Sequence, residues 1–147
     1  MFISVTRLRV RRWIDLPPFL WWTRSAQSQV LKAPGFVGGR LLVDRHRTFW
    51  TLTAWENERA MKAYRGSGAH SQVMPKLMRW CDEAAYTHWE AADSQVPSWP
   101  EAYQQLLRSA RLSRVAHPSP AHEARLFEAP RLKPLVGGDL RPKSGPP

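Results

Sequence analysis

The sequence predicts an α+β protein whose elements follow one another as β-α-β-β-α-β. Three observations carry this expectation. Runs rich in β-branched, aromatic or alternating apolar residues occupy 2–12, 36–44, 48–55 and 84–92. Apolar residues at three- and four-residue steps fall between the first two runs and again before the last. The second and third runs are separated by only Arg45-His46-Arg47, short enough to fold them back as a hairpin.

In the first strand Ile3, Val5, Leu8 and Val10 sit among Thr and Arg, without Pro or Gly. Asp15-Leu16-Pro17-Pro18 predicts a helix start, with Asp15 as the cap and proline tolerated in the first turn. Phe19, Trp22, Ala26 and Val30 mark one buried face, and Ala33-Pro34-Gly35 ends the helix. Phe36 to Asp44 is the second strand, with a bulge or a close ligand approach expected at Gly38-Gly39. Thr48 to Trp55 is the third. Glu56 to Arg65 is a short helix with acidic residues in its first turn, broken by Gly66 and Gly68. A second helix is expected from about His70 to Asp82. It carries Val73, Leu77 and Cys81 on one face, and its Pro75 is acceptable only in a first turn. Ala84 to Ala92 closes the pattern, with Tyr86, His88 and Glu90 on one side of the strand.

This order is the ferredoxin-like split pattern, with helices on one face of an antiparallel sheet. The other face needs a cover. A second copy of the sheet is the simplest one, so a homodimer joined through its sheets, a dimeric α+β barrel, is expected. The domain spans 1–93. Residues 94–147 hold nine of the thirteen prolines and read as a separate C-terminal region. Ser98-Trp99-Pro100-Glu101 opens an extra helix with a capping-box pattern, expected to run to about Leu112. Beyond His117-Pro118-Ser119-Pro120 the chain is Pro- and Arg-rich, and Gly137 to Pro147 reads as disordered.

The net charge of +10 points to an anionic partner: nucleic acid, an acidic membrane surface or an anionic ligand. Residues 1–93 contribute +6 and residues 94–147 +4, with no block of five like charges. That spread argues against a dedicated nucleic-acid domain. Cys81 is the only cysteine, which excludes an intramolecular disulfide and a cysteine-built zinc site. Histidines at metal-ligand spacing and nucleotide-loop or nucleophile-elbow fingerprints are missing. Met1-Phe2-Ile3-Ser4-Val5-Thr6-Arg7 does not read as a signal peptide, and no segment approaches the roughly 18 apolar residues of a membrane span. A cytoplasmic location is expected.

The sharpest candidate is His70, which follows two glycines and opens a helix. It reads as a general base, a haem ligand or a substrate anchor, against the plainer reading of a helix cap bonded to Tyr64. Arg65 suits a carboxylate clamp and Tyr64 a hydroxyl partner, although Arg65 also complements the dipole of the helix it ends. Trp22 and Trp55 are chosen as pocket wall. Tyr86 and His88 would line a cavity inside the sheet dimer, unless His88 is simply a satisfied core residue. Arg7, Arg9 and Arg11 share one strand face and read either as an anion patch or as a solvated strand extension. Cys81 is placed in the core, and His46, His117 and His122 carry no assigned role.

Phe49-Trp50-Thr51-Leu52-Thr53-Ala54-Trp55-Glu56, Ala63-Tyr64-Arg65-Gly66 followed by His70, and Tyr86-Thr87-His88-Trp89-Glu90 together resemble the dimeric α+β barrel superfamily. This superfamily includes the antibiotic-biosynthesis-monooxygenase-like proteins, and the resemblance is nearest to the spheroidene monooxygenase branch and its uncharacterised relatives. It covers roughly residues 1–93. It implies a homodimer with a pocket between the helices and the sheet of each subunit. It also implies a monooxygenase-like oxidoreductase acting on a small hydrophobic or aromatic, even isoprenoid, substrate. Tyr64, Arg65 and His70 match the branch's Tyr-Arg and His, and haem is a cofactor the resemblance allows. The alternative of the same fold is a non-catalytic dimeric protein that binds a small ligand.

Overall fold

The computed structural model describes residues 1–131 and 136–143. Strand β1 (Phe2–Val10) lies inside the sheet, paired antiparallel on one side with β3 (Thr48–Trp55) and on the other with β4 (Cys81–Glu90). Strand β2 (Phe36–Asp44) pairs with β3 through the expected hairpin. Two further strands, β5 (Arg111–Leu112) and β6 (Val136–Leu140), extend the edges, giving the order β5-β4-β1-β3-β2-β6. The bulge expected at the glycine pair is present, as the β2–β3 register shifts between Phe36 and Gly38. Beyond it, Gly39 is held close to the neighbouring strand. A Cβ on Gly39 would meet the Leu52 carbonyl oxygen at 2.3 Å.

Helices α1 (Leu16–Val30), α2 (Glu58–Arg65) and α3 (Gly68–Trp80) lie on one face. Asp15 does not cap α1 with its side chain. Its carboxylate takes the Arg12 guanidinium at 2.9 and 3.0 Å instead, since a bidentate ion pair outcompetes one neutral cap bond. Asn57 caps α2 by accepting from the Ala60 N–H. The second helix starts two residues before the expected His70 and stops at Trp80, so Cys81 is the first residue of β4 and not a helix-face residue. Pro75 stands in the interior of α3, beyond the first turn assigned to it. Its position is exposed, so the Ser71 carbonyl that loses its intrahelical donor is left on the solvent side.

The opposite face departs most from expectation. Register places Ile3, Val5 and Arg7 beside Ala54, Leu52 and Trp50 on this face. Helix α4 (Trp99–Ser109) packs Ala102 and Leu106 against it, with Phe127 and the half-buried Trp99 and Tyr103 alongside. The face assigned above to a second copy of the sheet is therefore closed by the chain's own C-terminal segment. The capping box is formed: Ser98 N–H donates to Glu101 at 2.7 Å, and the Ser98 hydroxyl accepts from the Glu101 N–H. The helix stops at Ser109, and Arg111–Leu112 turns into the sheet edge.

The weakly patterned stretch after His117 is also built in. Ser119 caps α5 (Pro120–Glu123), and His122, given no role above, is buried and accepts the Ala84 N–H at 3.3 Å through Nδ1. Val136–Leu140, read above as the start of a disordered end, pairs with β2 because that strand offers a free edge. Residues 144–147 of that end lie outside the described residues.

Arg7 and Arg9 of the Arg7, Arg9 and Arg11 stripe are engaged by carboxylates of the chain itself, so the three do not form one anion patch. Arg7 forms a buried salt bridge with Glu83, its guanidinium 5.6 Å from the Trp50 ring and 5.9 Å from Phe127. Arg9 grips Asp82 at 2.8 and 2.9 Å and reaches Glu83 at 3.1 Å. The Ser119 hydroxyl completes Glu83 at 2.9 Å.

Because Leu106 is fully enclosed between α4 and the sheet, Leu106→Ala is expected to cost about 3 kcal/mol of unfolding free energy, measured by urea denaturation. A loss below roughly 1 kcal/mol would mean that the segment rests loosely on the sheet.

Candidate functional site

The break between α2 and α3 is held from outside by Gln29 of α1. Its Oε1 accepts the His70 backbone N–H at 3.0 Å, and its Nε2 donates to the Ser67 carbonyl at 2.9 Å and the Tyr64 carbonyl at 3.3 Å. The His70 N–H is one of the first-turn donors of α3 that its own helix leaves free, and the two carbonyls, which also accept from the Ser71 and Ser67 N–H groups, gain Gln29 as a second donor. Gly68, at φ +54°, is required here, since a Cβ would lie 2.8 Å from Gln29 Oε1. Gln29 escaped the sequence reading. Its only signal is a polar residue directly before Val30, on the buried side of an apolar helix.

His70 sits at the start of α3 with Nδ1 at 3.2 Å from the Arg65 carbonyl oxygen. A carbonyl only accepts, so this bond requires the proton on Nδ1 and leaves Nε2 with its lone pair. Burial holds the imidazole below its ordinary 6.5; the hydrogen bond opposes that shift and the Arg65 charge reinforces it. The His70 ring packs 4.8 Å from Tyr64, Tyr64 lies 5.1 Å from Trp55, and Trp55 lies 5.4 Å from Phe36. This four-ring stack locks α2 to the sheet.

Within the stack, Tyr64 donates its hydroxyl to the Ala26 carbonyl at 3.1 Å, and burial pushes its pKa up, so it stays a neutral phenol. Trp55 is wholly enclosed and donates Nε1–H to the Thr53 hydroxyl at 3.0 Å. It is core, not an exposed pocket wall, because the rings on either side leave it no open face. Trp22 stands apart, about two helical turns from Gln29. It is half-buried under the Lys76 ammonium, 5.4 Å from its ring centroid.

The floor beneath the helices is polar at its centre. Pairing aligns Ser4 with Thr53 and His88, and Thr6 with Thr51 and Tyr86, between apolar ends marked by Phe2–Trp55 and Leu8–Phe49. Tyr86 and His88 therefore belong to the helix-facing side, not to the interior of a sheet dimer, because the residues sharing their face pack on α1 and α3. His88 lies between Phe2 at 5.6 Å and Tyr86 at 5.2 Å, and its ring makes no hydrogen bond among the described residues. Burial lowers its pKa below the ordinary 6.5. Arg65, Arg111 and Lys62 lower it further and Glu58 opposes them.

Arg65 thus acts on both histidines and ties the α2–α3 break to the floor. The arrangement presents neutral imidazoles beside guanidinium groups, which suits deprotonation of an acidic hydroxyl and retention of the resulting anion. On the outer side of Tyr64, a groove of about 670 Å³ opens between the end of α1 (Gln29, Lys32, Pro34) and α2 (Arg59, Ala60, Ala63).

A profile of the family described as antibiotic biosynthesis monooxygenase matches residues 24–76, from the middle of α1 into α3. Solved structures extend the likeness across the sheet. One described as an antibiotic biosynthesis monooxygenase has 12% identity and a TM-score of 0.56, covering 63% of this chain and 100% of the other. The fold is that of the antibiotic biosynthesis monooxygenases. SnoaB, a cofactor-independent oxygenase from Streptomyces nogalater, shares this monooxygenase fold at 16% identity and a TM-score of 0.52, covering 66% and 97%. Rv0793 from Mycobacterium tuberculosis shares it at 11% identity and a TM-score of 0.56, covering 64% and 98%. No curated protein matches the chain.

Both depressed imidazoles tie stability to pH. The unfolded histidines take up protons first as pH falls below 6.5, so stability present near neutrality is lost from there down through the folded values. Urea denaturation from about pH 7.5 to about pH 5 should show a smaller loss for His70→Asn/His88→Asn than for the wild type. Equal losses would place both rings in ordinary solvent.

Proposed function

We propose that this chain is a monooxygenase-like oxidoreductase acting on a small aromatic or otherwise hydrophobic substrate with an acidic hydroxyl. The observation that carries the reading is His88. It is an imidazole without a hydrogen-bond partner among the described residues, held neutral on a polar floor, flanked by aromatic rings and under the field of Arg65 and Arg111. The fold supports the class, since a cofactor-independent oxygenase shares it.

In this reading His88 takes the hydroxyl proton, and the electron-rich anion left behind is the species that dioxygen oxidises. Arg65 and Arg111 hold the negative charge, while Phe2 and Tyr86 flank the ring of the base. His70 positions Arg65 through the carbonyl bond. Tyr64 keeps the stack closed through its bond to Ala26. The narrower likeness to the spheroidene monooxygenase branch rests on Tyr64-Arg65-Gly66 and His70.

Haem is the cofactor that likeness allows, and in donor type the residues fit. His70 Nε2 carries a free lone pair for iron, and Arg65 offers a guanidinium for a propionate. When bound, haem would supply oxygen-activating iron. A second reading, a ligand-binding module without turnover, is favoured by one observation. Tyr64 and the His70 backbone are fully explained by the protein contacts they make.

Oxygen uptake with a panel of polycyclic phenols and quinols tests the proposal. His88→Ala is expected to lower kcat/KM by roughly a hundred- to ten-thousand-fold while the protein stays folded. Binding without oxygen uptake in the wild type would instead establish the ligand-binding reading. A haem titration followed at the Soret band, with wild type beside His70→Ala, separates the two oxygenase chemistries. Saturation lost only in the variant assigns iron to His70, and no specific band leaves the cofactor-free route.

A further inference from the structure

One end of the molecule carries large apolar side chains that none of the described residues covers. The turn Trp13–Asp15 and the first turns of α1 leave Trp13 73%, Ile14 74%, Leu20 48% and Trp21 64% exposed. Pro17 and Pro18 lie exposed between them. Apolar groups of this size gathered at one site on a protein surface mark an interaction surface.

The charge around this patch is one-sided. Arg11, Arg24, Arg45, Arg47 and Arg79 form no ion pair among the described residues. Arg47 is fixed there, donating to the Val10 and Arg11 carbonyls at 2.9 and 3.1 Å with its guanidinium 4.8 Å over the Trp13 ring. Arg11 is joined to the end of α3 by its N–H on the Trp80 carbonyl at 2.8 Å, which brings Arg79 to the same end. The carboxylates nearby are already engaged. Asp15 holds Arg12, Asp82 holds Arg9, and Asp44 accepts from the Arg45 and Arg131 backbone N–H groups.

We propose that this end docks on the surface of an anionic lipid bilayer. Trp13 and Trp21 enter the headgroup boundary, Ile14 and Leu20 reach the acyl chains, and the unpaired arginines meet lipid phosphates. Tryptophan favours that boundary, and arginine beside it is attracted by the negative surface potential. The aliphatic members of the patch decide against nucleic acid, since Ile14 and Leu20 cannot stack on bases as aromatic rings do. Like charge decides against a second copy, because apposing two such ends brings unpaired arginines together. No helix among the described residues is long and apolar enough to cross a membrane, so the protein would lie on the bilayer. This inference stands independently of the oxygenase reading, which uses none of these side chains.

Flotation of the full-length protein with vesicles of phosphatidylcholine, alone or mixed with phosphatidylglycerol, tests it. The wild type should float with the mixed vesicles, less at high salt, and brominated acyl chains should quench its tryptophan emission. Trp13→Ser/Trp21→Ser should abolish flotation without moving the thermal midpoint, because both side chains are exposed. Arg24→Gln and Arg45→Gln should each lower partitioning by about five-fold, the equivalent of one arginine at an anionic surface. Absence of flotation at low salt would overturn the proposal, as would equal flotation of the double Trp variant. A concentration-dependent dimer abolished by that variant, without vesicle binding, would make this end a self-interface. Duplex DNA binding lost in the variant, again without flotation, would make it a nucleic-acid site.

Discussion

A salt bridge between Arg7 and Glu83, buried beneath the C-terminal segment, is the constraint on which the rest of the architecture turns. Two charges removed from water are costly unless their geometry is good and further hydrogen bonds offset the desolvation. Here Arg9 and Ser119 complete Glu83, while the Trp50 and Phe127 rings flank the Arg7 guanidinium, whose Nε has no partner among the described residues. Four of these six residues belong to the sheet and two to the segment after α4. The sheet's charged centre and its cover therefore stabilise one another, and neither is satisfied alone. This makes the C-terminal region part of the fold's interior.

With that face closed from within, the open polar part of the sheet lies on the other side. There the sheet is apolar at its ends and polar in the middle, and the helices are anchored at the ends: Phe36, Trp55 and Tyr64 at one, Phe19 and Phe49 at the other. The centre, with Ser4, Thr6, Thr51, Tyr86 and His88, is left half-buried. An interior built only for stability would place its largest apolar groups there. A polar floor with a neutral histidine is instead what a site for proton transfer requires. Gln29 is the hinge pin of this half, because it joins α1 to the α2–α3 break and so sets where Arg65 and His70 stand.

Legibility in the sequence followed the range of the interaction. The hairpin of β2 and β3 was read to its boundaries because three turn residues and aromatic, β-branched strands act locally. The Gly38-Gly39 bulge was visible for the same reason, although the close approach of Gly39 to the Leu52 carbonyl belongs to the neighbouring strand. His70, Tyr64 and Arg65 were found as neighbours in sequence, and the fold does bring them together. The enclosure of Trp55 was not legible because a tryptophan's position along a strand does not reveal what packs above it. Gln29 and His122 were missed since each acts on a backbone group at least thirty-five residues away.

The sequence by itself determined the order of elements, the hairpin register, the capping box at Ser98 and the break that delivers His70. All of these are set by hydrogen bonds and sterics within a few residues. Only the tertiary structure decided that α4 and Phe127 cover the second face of the sheet, that Arg7 and Arg9 pair inward with Glu83 and Asp82, and that Val136–Leu140 becomes a strand. Those outcomes depend on which apolar face or unpaired edge remains uncovered once the first four strands have assembled. Burial of a face is a property of the assembled sheet, and no local pattern in the chain records it.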